Sequence, residues 1–332
     1  MSDHVRVYVP RQRELRIAAI GGGHGLSAML RGLKQYTKNI TAIVTVADDG
    51  GGSGMLREDL GMLPPGDIRN CILALANTEP TMQKLLNYRF TEGILSGQSF
   101  GNLFLAAMNG ISGSFDEAVH RMGDVLAITG RVLPVTNQNI HLEAEFVNGS
   151  RVLGESKIFY AKKINDCRIK QVRLVPQRPQ PLAESLQAIA EADVIILGPG
   201  SLYTSIIPNF LVDGIAEAVA ASPALKILVM NIMTQDGETD GYNGPDHVRA
   251  LLDHGVPGIV DVCIANNTLL SEEVLEPYRQ EGVEQLRLCR EEIEAMGIAV
   301  REYPLATGSR YIRHDHDALA EAIMETCREF RR

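Results

Sequence analysis

The sequence predicts an α/β protein built on a doubly wound, mainly parallel sheet. A short apolar run at residues 15–20 stops at a glycine turn, helical spacing follows at residues 27–34, and a β-branched run covers residues 39–47. A strand, a helix and a strand within about 33 residues form a βαβ unit, whose crossover is right-handed in nearly all proteins. Strand-like runs that are each followed by a helical pattern return later in the chain, at residues 193–197, 226–231 and 259–265.

The rest of the chain adds helices and one antiparallel region. Residues 57–126 are predicted to be mainly helical, and an amphipathic stripe predicts a last helix over residues 315–330. Asn148-Gly149 lies between two strand-like runs and is a strong hairpin signal. We therefore expect a small antiparallel insertion at about residues 131–175, within a single domain at residues 15–330 that follows a flexible arm at residues 1–14.

Composition excludes several classes of protein. The 332 residues carry a net charge of −9 with scattered basic residues, which argues against a nucleic-acid partner. Five cysteines without a CxxC pair indicate neither a disulfide framework nor a zinc cluster. No apolar run reaches a membrane span, and charges interrupt the N-terminal residues where a signal peptide would lie. We expect a cytoplasmic protein without membrane insertion, and a homodimer, since chains of this kind commonly dimerise.

The first candidate site is the glycine turn between the first strand and helix. Glycines let a ligand approach the backbone, and a helix N-terminus offers N–H groups to phosphate oxygens. Gly23, Gly25 and Ala28 fit the dinucleotide-binding spacing, and Asp48 follows the second strand, where a ribose-binding acid would lie. The residues of this turn are Gly21, Gly22, Gly23, His24, Gly25 and Leu26.

The second candidate is the acidic loop that begins at Asp48-Asp49 and continues into a glycine-rich run. If the strand pleat persists, the two carboxylates point to opposite faces, so only one can readily face a ligand. A carboxylate beside a phosphate needs a bridging cation, or else it binds a sugar hydroxyl. Both uses remain open at this stage.

Two further turns are weaker candidates. Asp67 suits a helix cap as well as a site, and Arg69 could reach an anion on the same face. Asn102 could bind a base or ribose, whereas Ser99 is best interpreted as a plain helix cap.

A second glycine turn repeats the logic of the first. Gly198, Pro199, Gly200 and Ser201 follow another predicted central strand. In doubly wound sheets, ligands bind outside the carboxyl ends of the strands, where the strand order reverses. Two such turns facing one crevice would hold a nucleotide-containing ligand between them.

Residues 231–239, beginning at Asn231, form a further candidate loop after a strand, and the His-Asp string at residues 314–317 invites a metal interpretation. Asp315 would instead cap the last helix, and adjacency alone gives no ligand geometry. A nucleophile is not indicated, because there is no G-x-S-x-G elbow and the cysteines lie in apolar runs.

Seven ordered motifs give the chain a family resemblance. They are IAAIGGGHGLSAMLRGL, ITAIVTVADDGGGSG, PPGDIRN, SFGNL, GPGSLYTSIIPNFLV, NIMTQDGET and YIRHD. Together they resemble the YvcK branch of the CofD-like proteins over nearly the whole chain after residue 14. The resemblance implies a Rossmann-like CofD fold and a cytoplasmic bacterial gluconeogenesis factor.

The resemblance also implies a ligand and its site. The YvcK branch is associated with binding of UDP-sugars, notably UDP-N-acetylglucosamine, and with cell shape and wall synthesis during growth on gluconeogenic carbon. CofD itself is a phospholactate transferase, in which the acidic loop lies at a magnesium and phosphate site. Carried over, the two glycine turns, Asp48, Asp49 and Asn102 form the ligand crevice. Arg313 and Tyr278 become candidates for the sugar-nucleotide end.

Three functions follow as hypotheses. The first is a sugar-nucleotide-binding regulator that needs no turnover. The second is a magnesium-dependent transferase like CofD, with Asp48 or Asp49 as metal ligand or base. The third is an NAD-binding protein, although the sequence lacks an obvious hydride-transfer constellation.

Overall fold

The computed structural model describes residues 14–165, 167–308 and 311–330. The arm predicted at residues 1–14 lies outside this range except for its last residue. The strands are β1 (Ile17–Gly21), β2 (Ile40–Val44), β3 (Arg131–Pro134), β4 (His141–Phe146), β5 (Arg151–Leu153), β6 (Ile169–Val175), β7 (Val194–Leu197), β8 (Leu225–Val229), β9 (Val262–Asn266), β10 (Ala299–Tyr303), β11 (Ala306–Thr307) and β12 (Arg313–His314).

Helices cover both faces of the main sheet. They are α1 (Gly23–Leu33), α2 (Gly51–Leu60), α3 (Gly66–Leu75), α4 (Pro80–Asn87), α5 (Phe100–Gly110), α6 (Phe115–Val125), α7 (Glu155–Asn165), α8 (Ala183–Glu191), α9 (Ile207–Phe210), α10 (Ile215–Ala221), α11 (Gly244–His254), α12 (Glu272–Gln280), α13 (Arg290–Glu294) and α14 (His316–Phe330). A π-helical turn, Leu202–Ile206, leads into α9.

The main sheet has seven parallel strands in the order β10-β9-β8-β7-β1-β2-β3. Residues of β1 and β2 are buried throughout, as expected for apolar runs that are covered on both faces. The chain leaves β1 toward β2 and β3, and returns to β7 on the other side of β1. The strand order therefore reverses between β1 and β7, and the predicted α/β doubly wound fold is confirmed.

The helix α1 packs against α3 and α14. Gly32 permits the second of these contacts, because a Cβ there would lie 2.0 Å from the backbone oxygen of His316. Asp315 caps α14, since its Oδ1 accepts hydrogen bonds from the amides of Asp317 at 3.0 Å and Ala318 at 2.9 Å. The last helix thus begins one residue later than predicted, with Asp315 as the expected cap.

The smaller sheet confirms the antiparallel hairpin and corrects the bounds of the inserted region. Strands β5, β4 and β6 form it, and β4 and β5 are joined at the Asn148-Gly149 turn, where Gly149 has a φ of +85°. Residues 131–134, predicted within this region, instead form β3, which pairs in parallel with β2 at the edge of the main sheet. The strand-like run from Arg151 also ends early, because Gly154 turns the chain at a φ of +114° and α7 begins.

One edge strand of the main sheet extends the sequence-based prediction. The segment Ala299–Tyr303 forms β10 at the edge of the sheet, although it was not predicted as a strand.

No single helix of the described residues is long and apolar enough to span a membrane. One pair, Leu202–Phe210 with Ile215–Ala221, has the length and composition together, but it is bent by 78°.

Candidate functional site

The two glycine turns lie side by side at the reversal point of the sheet. Strand β1 pairs with β7, so the turns that follow them leave the same edge. A Cβ added to Gly25 would lie 2.5 Å from the carbonyl oxygen of Pro199, and one added to Gly200 would lie 3.2 Å from the carbonyl oxygen of Gly22. The backbones touch directly, and only glycine permits this approach.

The N-terminus of α1 opens into the space above these turns. Gly22 is the N-cap residue and has no side chain to occupy the first-turn amides, while Gly23 adopts a φ of +70°. First-turn amides have no acceptor within their helix. The Gly23 amide donates instead to the carboxyl group of Asp67, and the amides that follow it in the first turn are the ones that an anion can reach. Gly21 is buried beneath the turn, and Leu26 is buried in the core, so neither presents a side chain to a ligand.

Two cavities meet at this junction. The larger has a volume of about 540 Å³, and the smaller about 360 Å³. Both are lined by His24, Gly25, Gly200 and Ser201. We call the larger one the basic cavity, because Arg31 and Arg313 line it, and the smaller one the acidic cavity, because Asp48, Asp67 and Glu155 line it.

The carboxyl groups of the acidic cavity have raised pKa values. Burial raises the pKa of Asp67 to about 7, with a further contribution from the charge of Asp48, while a hydrogen bond from the Gly23 amide lowers it. Burial and the charges of neighbouring acids, Asp48 first, raise the pKa of Glu155 to about 8. Burial also raises the pKa of Asp48, although the Gly50 amide donates to its Oδ1 at 2.9 Å. Asp67 and Glu155 can therefore exchange protons near neutral pH, and the cavity can accept a cation.

The two acids of the loop after β2 have different roles, although β2 ends at Val44 and the pleat does not continue to them as the prediction assumed. Asp48 lines the acidic cavity. Asp49 is turned to the start of α7, where its Oδ1 accepts a hydrogen bond from the Ser156 amide at 2.8 Å. Among the residues described, Asp49 lines neither cavity, so its contribution is to hold α7 and its Glu155 over the crevice.

Asn102 and Arg69 pair with one another instead of lining a cavity. The Asn102 Oδ1 accepts a hydrogen bond from the Arg69 Nε at 3.2 Å, and both side chains are buried. The Asn102 amide donates to the Ser99 hydroxyl at 3.2 Å, which confirms Ser99 as the helix cap. Asp67, by contrast, is not the N-cap of α3, since that position belongs to Pro65.

The basic cavity carries positive charge at the other side of the junction. Burial lowers the pKa of His24, and the nearby charges of Arg313 and Arg69 lower it further. Arg313 is exposed and has no ion-pair partner among the described residues. Tyr278 does not line the cavity; its hydroxyl oxygen accepts a hydrogen bond from the Ile312 amide at 2.5 Å. Tyr278 therefore positions the segment that carries Arg313.

The candidate loop at residues 231–239 supports the second glycine turn through a polar network. The Ser201 hydroxyl donates to the Gln235 Oε1 at 2.8 Å, and the Gln235 Nε2 donates to the Glu238 Oε1 at 3.0 Å. Glu238 also accepts from the Thr204 hydroxyl at 2.9 Å, and burial raises its pKa to about 7. Asn231 donates through its Nδ2 to the carbonyl oxygen of Gly200 at 2.9 Å, and it lines the basic cavity.

The acidic cavity offers the oxygen ligands that Mg²⁺ prefers, but they are not gathered into a closed set. Among the described residues, the one group of acids and histidines whose ligand atoms all lie within 4.8 Å of one another is Asp315, His316 and Asp317. Within that group, Asp315 caps α14, and Asp317 accepts a hydrogen bond from the Gln35 Nε2 at 2.7 Å. A magnesium ion in the acidic cavity would therefore be held by one or two carboxylates and by ligand phosphates, as is common for this metal.

Comparison with known proteins places the chain in a family. The profile of the family described as "2-phospho-L-lactate transferase CofD" matches residues 17–306. A relative in Thermoanaerobacterium thermosulfurigenes is 56% identical over 310 residues, covering 93% of this chain and 96% of that one. A Bacillus subtilis relative, named gluconeogenesis factor, is 46% identical over 317 residues, covering 95% of this chain and 98% of that one.

A solved structure agrees with the fold. The crystal structure of a UPF0052 family protein of Bacillus halodurans has a TM-score of 0.90 and 44% identity, and the match covers 94% of this chain and 99% of that one. The expected resemblance is confirmed on both sequence and structure, and the chain belongs to the CofD family.

Proposed function

We propose that the protein binds a nucleotide sugar in the crevice between the two glycine turns, with UDP-N-acetylglucosamine as the first ligand to test. The observation that carries the proposal is the direct contact of the turns, since the Cβ of an alanine at Gly25 would meet the Pro199 carbonyl at 2.5 Å. Amide donors of both turns can then reach one diphosphate. We further propose a regulatory role in gluconeogenic growth, in keeping with the names of the relatives. A cytoplasmic location and a role in cell-wall synthesis are the parts of this proposal that come from the family resemblance.

The charges on either side of the junction set the orientation of this ligand. A diphosphate is attracted by Arg31 and Arg313 in the basic cavity and repelled by carboxylates in the acidic one. Sugar hydroxyl groups can donate to carboxylates and accept from protonated carboxyls. The nucleoside diphosphate therefore belongs in the basic cavity and the sugar toward Asp48, Asp67 and Glu155.

Calorimetry tests the proposal with UDP-N-acetylglucosamine, UDP, NAD and GTP. We expect micromolar binding of the first. Arg313→Ala removes a charge-assisted contact to phosphate and is expected to weaken binding by about tenfold or more. Arg279→Ala is the matched control, because Arg279 is an exposed arginine paired with Glu272 and lines neither cavity. The absence of binding by any uridine nucleotide would reject the proposal.

A magnesium-dependent transfer reaction is the second candidate, and the carboxyl groups beside the proposed diphosphate site favour it. The family description and the acidic cavity both point to phosphorus chemistry. Here a cation held by Asp48 would neutralise charge on the phosphate. Asp48→Asn is expected to abolish magnesium-dependent product formation from a labelled nucleotide. Without any such product in the wild-type protein, binding without turnover is the better account.

Binding of NAD is the third candidate, and it rests on generic pyrophosphate contacts at the first turn. The turn provides glycine backbone and a helix N-terminus, which suit any dinucleotide. In this account NAD competes with UDP-N-acetylglucosamine in calorimetry and undergoes no reduction with candidate alcohols. An increase in the absorbance of reduced NAD would instead indicate a dehydrogenase.

A further inference from the structure

A third cavity lies at the opposite edge of the main sheet, where strands β1, β2 and β3 begin. Its volume is about 380 Å³. Ile17, Ile40 and Arg131, the first residues of the three strands, line it together with the segment Lys38–Asn39. Ala188 and Glu191 of α8 close its side. We call it the amino-edge cavity.

The cavity presents fixed hydrogen-bond donors. Thr41 and Arg131 are register neighbours on β2 and β3, and the Arg131 Nε donates to the Thr41 Oγ1 at 2.9 Å. This bond orients the guanidinium, and Thr41 is itself only 9% exposed. The terminal N–H groups of Arg131 and the Nζ of Lys38 have no acceptor among the described residues. Two cationic side chains that line the cavity therefore have hydrogen-bond donors available to a ligand.

Two of the acidic residues nearby pair with Arg16. Arg16 lies 3.9 Å from Glu191 and 3.8 Å from Asp193, and the Arg16 Nε is buried without a hydrogen-bond partner. Asp193 also accepts from the Arg16 amide at 2.9 Å. Of the charged residues that line the cavity, Arg16, Lys38 and Arg131 are cationic and Glu191 is acidic, so the lining itself carries an excess of positive charge. A further acid, Glu14, lies outside the lining, where its Oε2 accepts from the Lys38 amide at 3.5 Å. A positive cavity in a protein with a net charge of −9 is a local feature that its overall charge does not explain.

We propose that the amino-edge cavity is a second ligand site, which binds a small phosphorylated anion. A planar guanidinium, an ammonium group and the Thr41 hydroxyl suit the several oxygens of a phosphate. The volume accommodates a phosphorylated metabolite of the size of a sugar phosphate, since ligand sites commonly begin at about 300 Å³. A neutral sugar would leave the excess positive charge of the lining unmatched and is not the expected ligand.

This site is separate from the nucleotide crevice. Strand β1 runs from Ile17 at the amino-edge cavity to Gly21 at the glycine turn. Four residue steps of about 3.3 Å place the two ends about 13 Å apart. One small phosphate compound cannot occupy both, so the two sites are expected to fill independently, and the proposal does not depend on the identity of the crevice ligand.

Calorimetry tests the site with inorganic phosphate, pyrophosphate and fructose 1,6-bisphosphate, each titrated with and without UDP-N-acetylglucosamine. We expect saturable binding of at least one probe, unaffected by the nucleotide sugar. Arg131→Gln and Lys38→Gln are each expected to weaken it by about tenfold or more. Arg249→Gln, an exposed arginine on α11 outside the cavity, is the matched control and should bind as the wild type does.

Thermal unfolding of each variant accompanies the titrations. Lys38 is exposed and its side chain holds no structural contact among the described residues, so Lys38→Gln remains informative even if Arg131→Gln fails to fold. Three results would overturn the proposal: no saturable binding of any probe, equal binding by the wild type and the Lys38→Gln variant, or displacement of the probe by UDP-N-acetylglucosamine. The last would place the phosphate in the nucleotide crevice.

Discussion

Replacing Glu155 by glutamine is expected to change the pH dependence of stability. The side chain lines the acidic cavity, and its pKa is raised from 4.5 to about 8 by burial and by neighbouring acids. A carboxyl with a raised pKa keeps its proton longer in the folded chain than in the unfolded one. The free energy of unfolding therefore falls as pH rises from about 4.5 to about 8, and is level above that.

The size of the effect follows from the shift. About 3.5 pKa units at about 1.4 kcal/mol each give an upper limit of about 5 kcal/mol for ionising Glu155 in the fold. Because the side chain is partly exposed, screening by solvent reduces the expected value to about 2–3 kcal/mol. Glutamine resembles the protonated acid, so Glu155→Gln is expected to match the wild type at pH 4 and to be more stable at pH 9.

Urea unfolding at pH 4, 6, 7.5 and 9 measures the difference, with Glu58→Gln as the control. Glu58 is exposed on α2 and makes no interaction with the described residues, so its substitution should leave the pH dependence unchanged. If Glu155→Gln changes stability by the same amount at every pH, or destabilises the protein at pH 9, the electrostatic account of the acidic cavity is wrong.

Three further substitutions test the geometry of the site. Gly25→Ala places a Cβ 2.5 Å from the Pro199 carbonyl oxygen, so it should destabilise the fold by about 1–3 kcal/mol and weaken nucleotide binding. Gly110 has open space around it, so Gly110→Ala should change neither the melting temperature nor the affinity measured by calorimetry. Asp49→Ala leaves the amide at the start of α7 without its acceptor, so urea unfolding should show a free energy of unfolding about 1 kcal/mol lower. An unchanged free energy of unfolding would contradict that role. Tyr278→Phe removes the hydrogen bond from the Ile312 amide that holds the segment of Arg313. Calorimetry should then show weaker nucleotide binding, with little change in melting temperature. An unchanged affinity would contradict the positioning role.

Local signals in the sequence were enough to predict the main architecture and the contact between the two turns. The apolar runs before Gly21 and Gly198 indicate strands that end at glycine, and parallel strands bring their carboxyl ends to one edge. Strand alternation at Asp48 and Asp49 was the wrong reason for expecting one acid to face the crevice, because β2 ends at Val44 and the Ser156 amide is what holds Asp49 away from it. These conclusions needed only neighbouring residues and the general rules for α/β sheets.

Other features depend on packing between distant segments. Glu155 enters the acidic cavity because Gly154 turns the chain and the Ser156 amide donates to Asp49, which lies 107 residues before Ser156 in the sequence. Glu238 reaches the Thr204 hydroxyl across 34 residues. The edge strand β3 is short and ends at Pro134, so its sequence resembles the start of the hairpin region that follows. No periodicity within either segment could have indicated these contacts.

The nucleotide crevice is tested most directly by following backbone amides of the protein in solution. A heteronuclear NMR titration of the labelled chain with UDP-N-acetylglucosamine reports on the N–H groups of Gly25 and Gly200 separately. We predict that both resonances shift and saturate at the same ligand concentration, because one diphosphate contacts both turns. Shifts confined to one turn, or to residues away from both, would contradict the shared site.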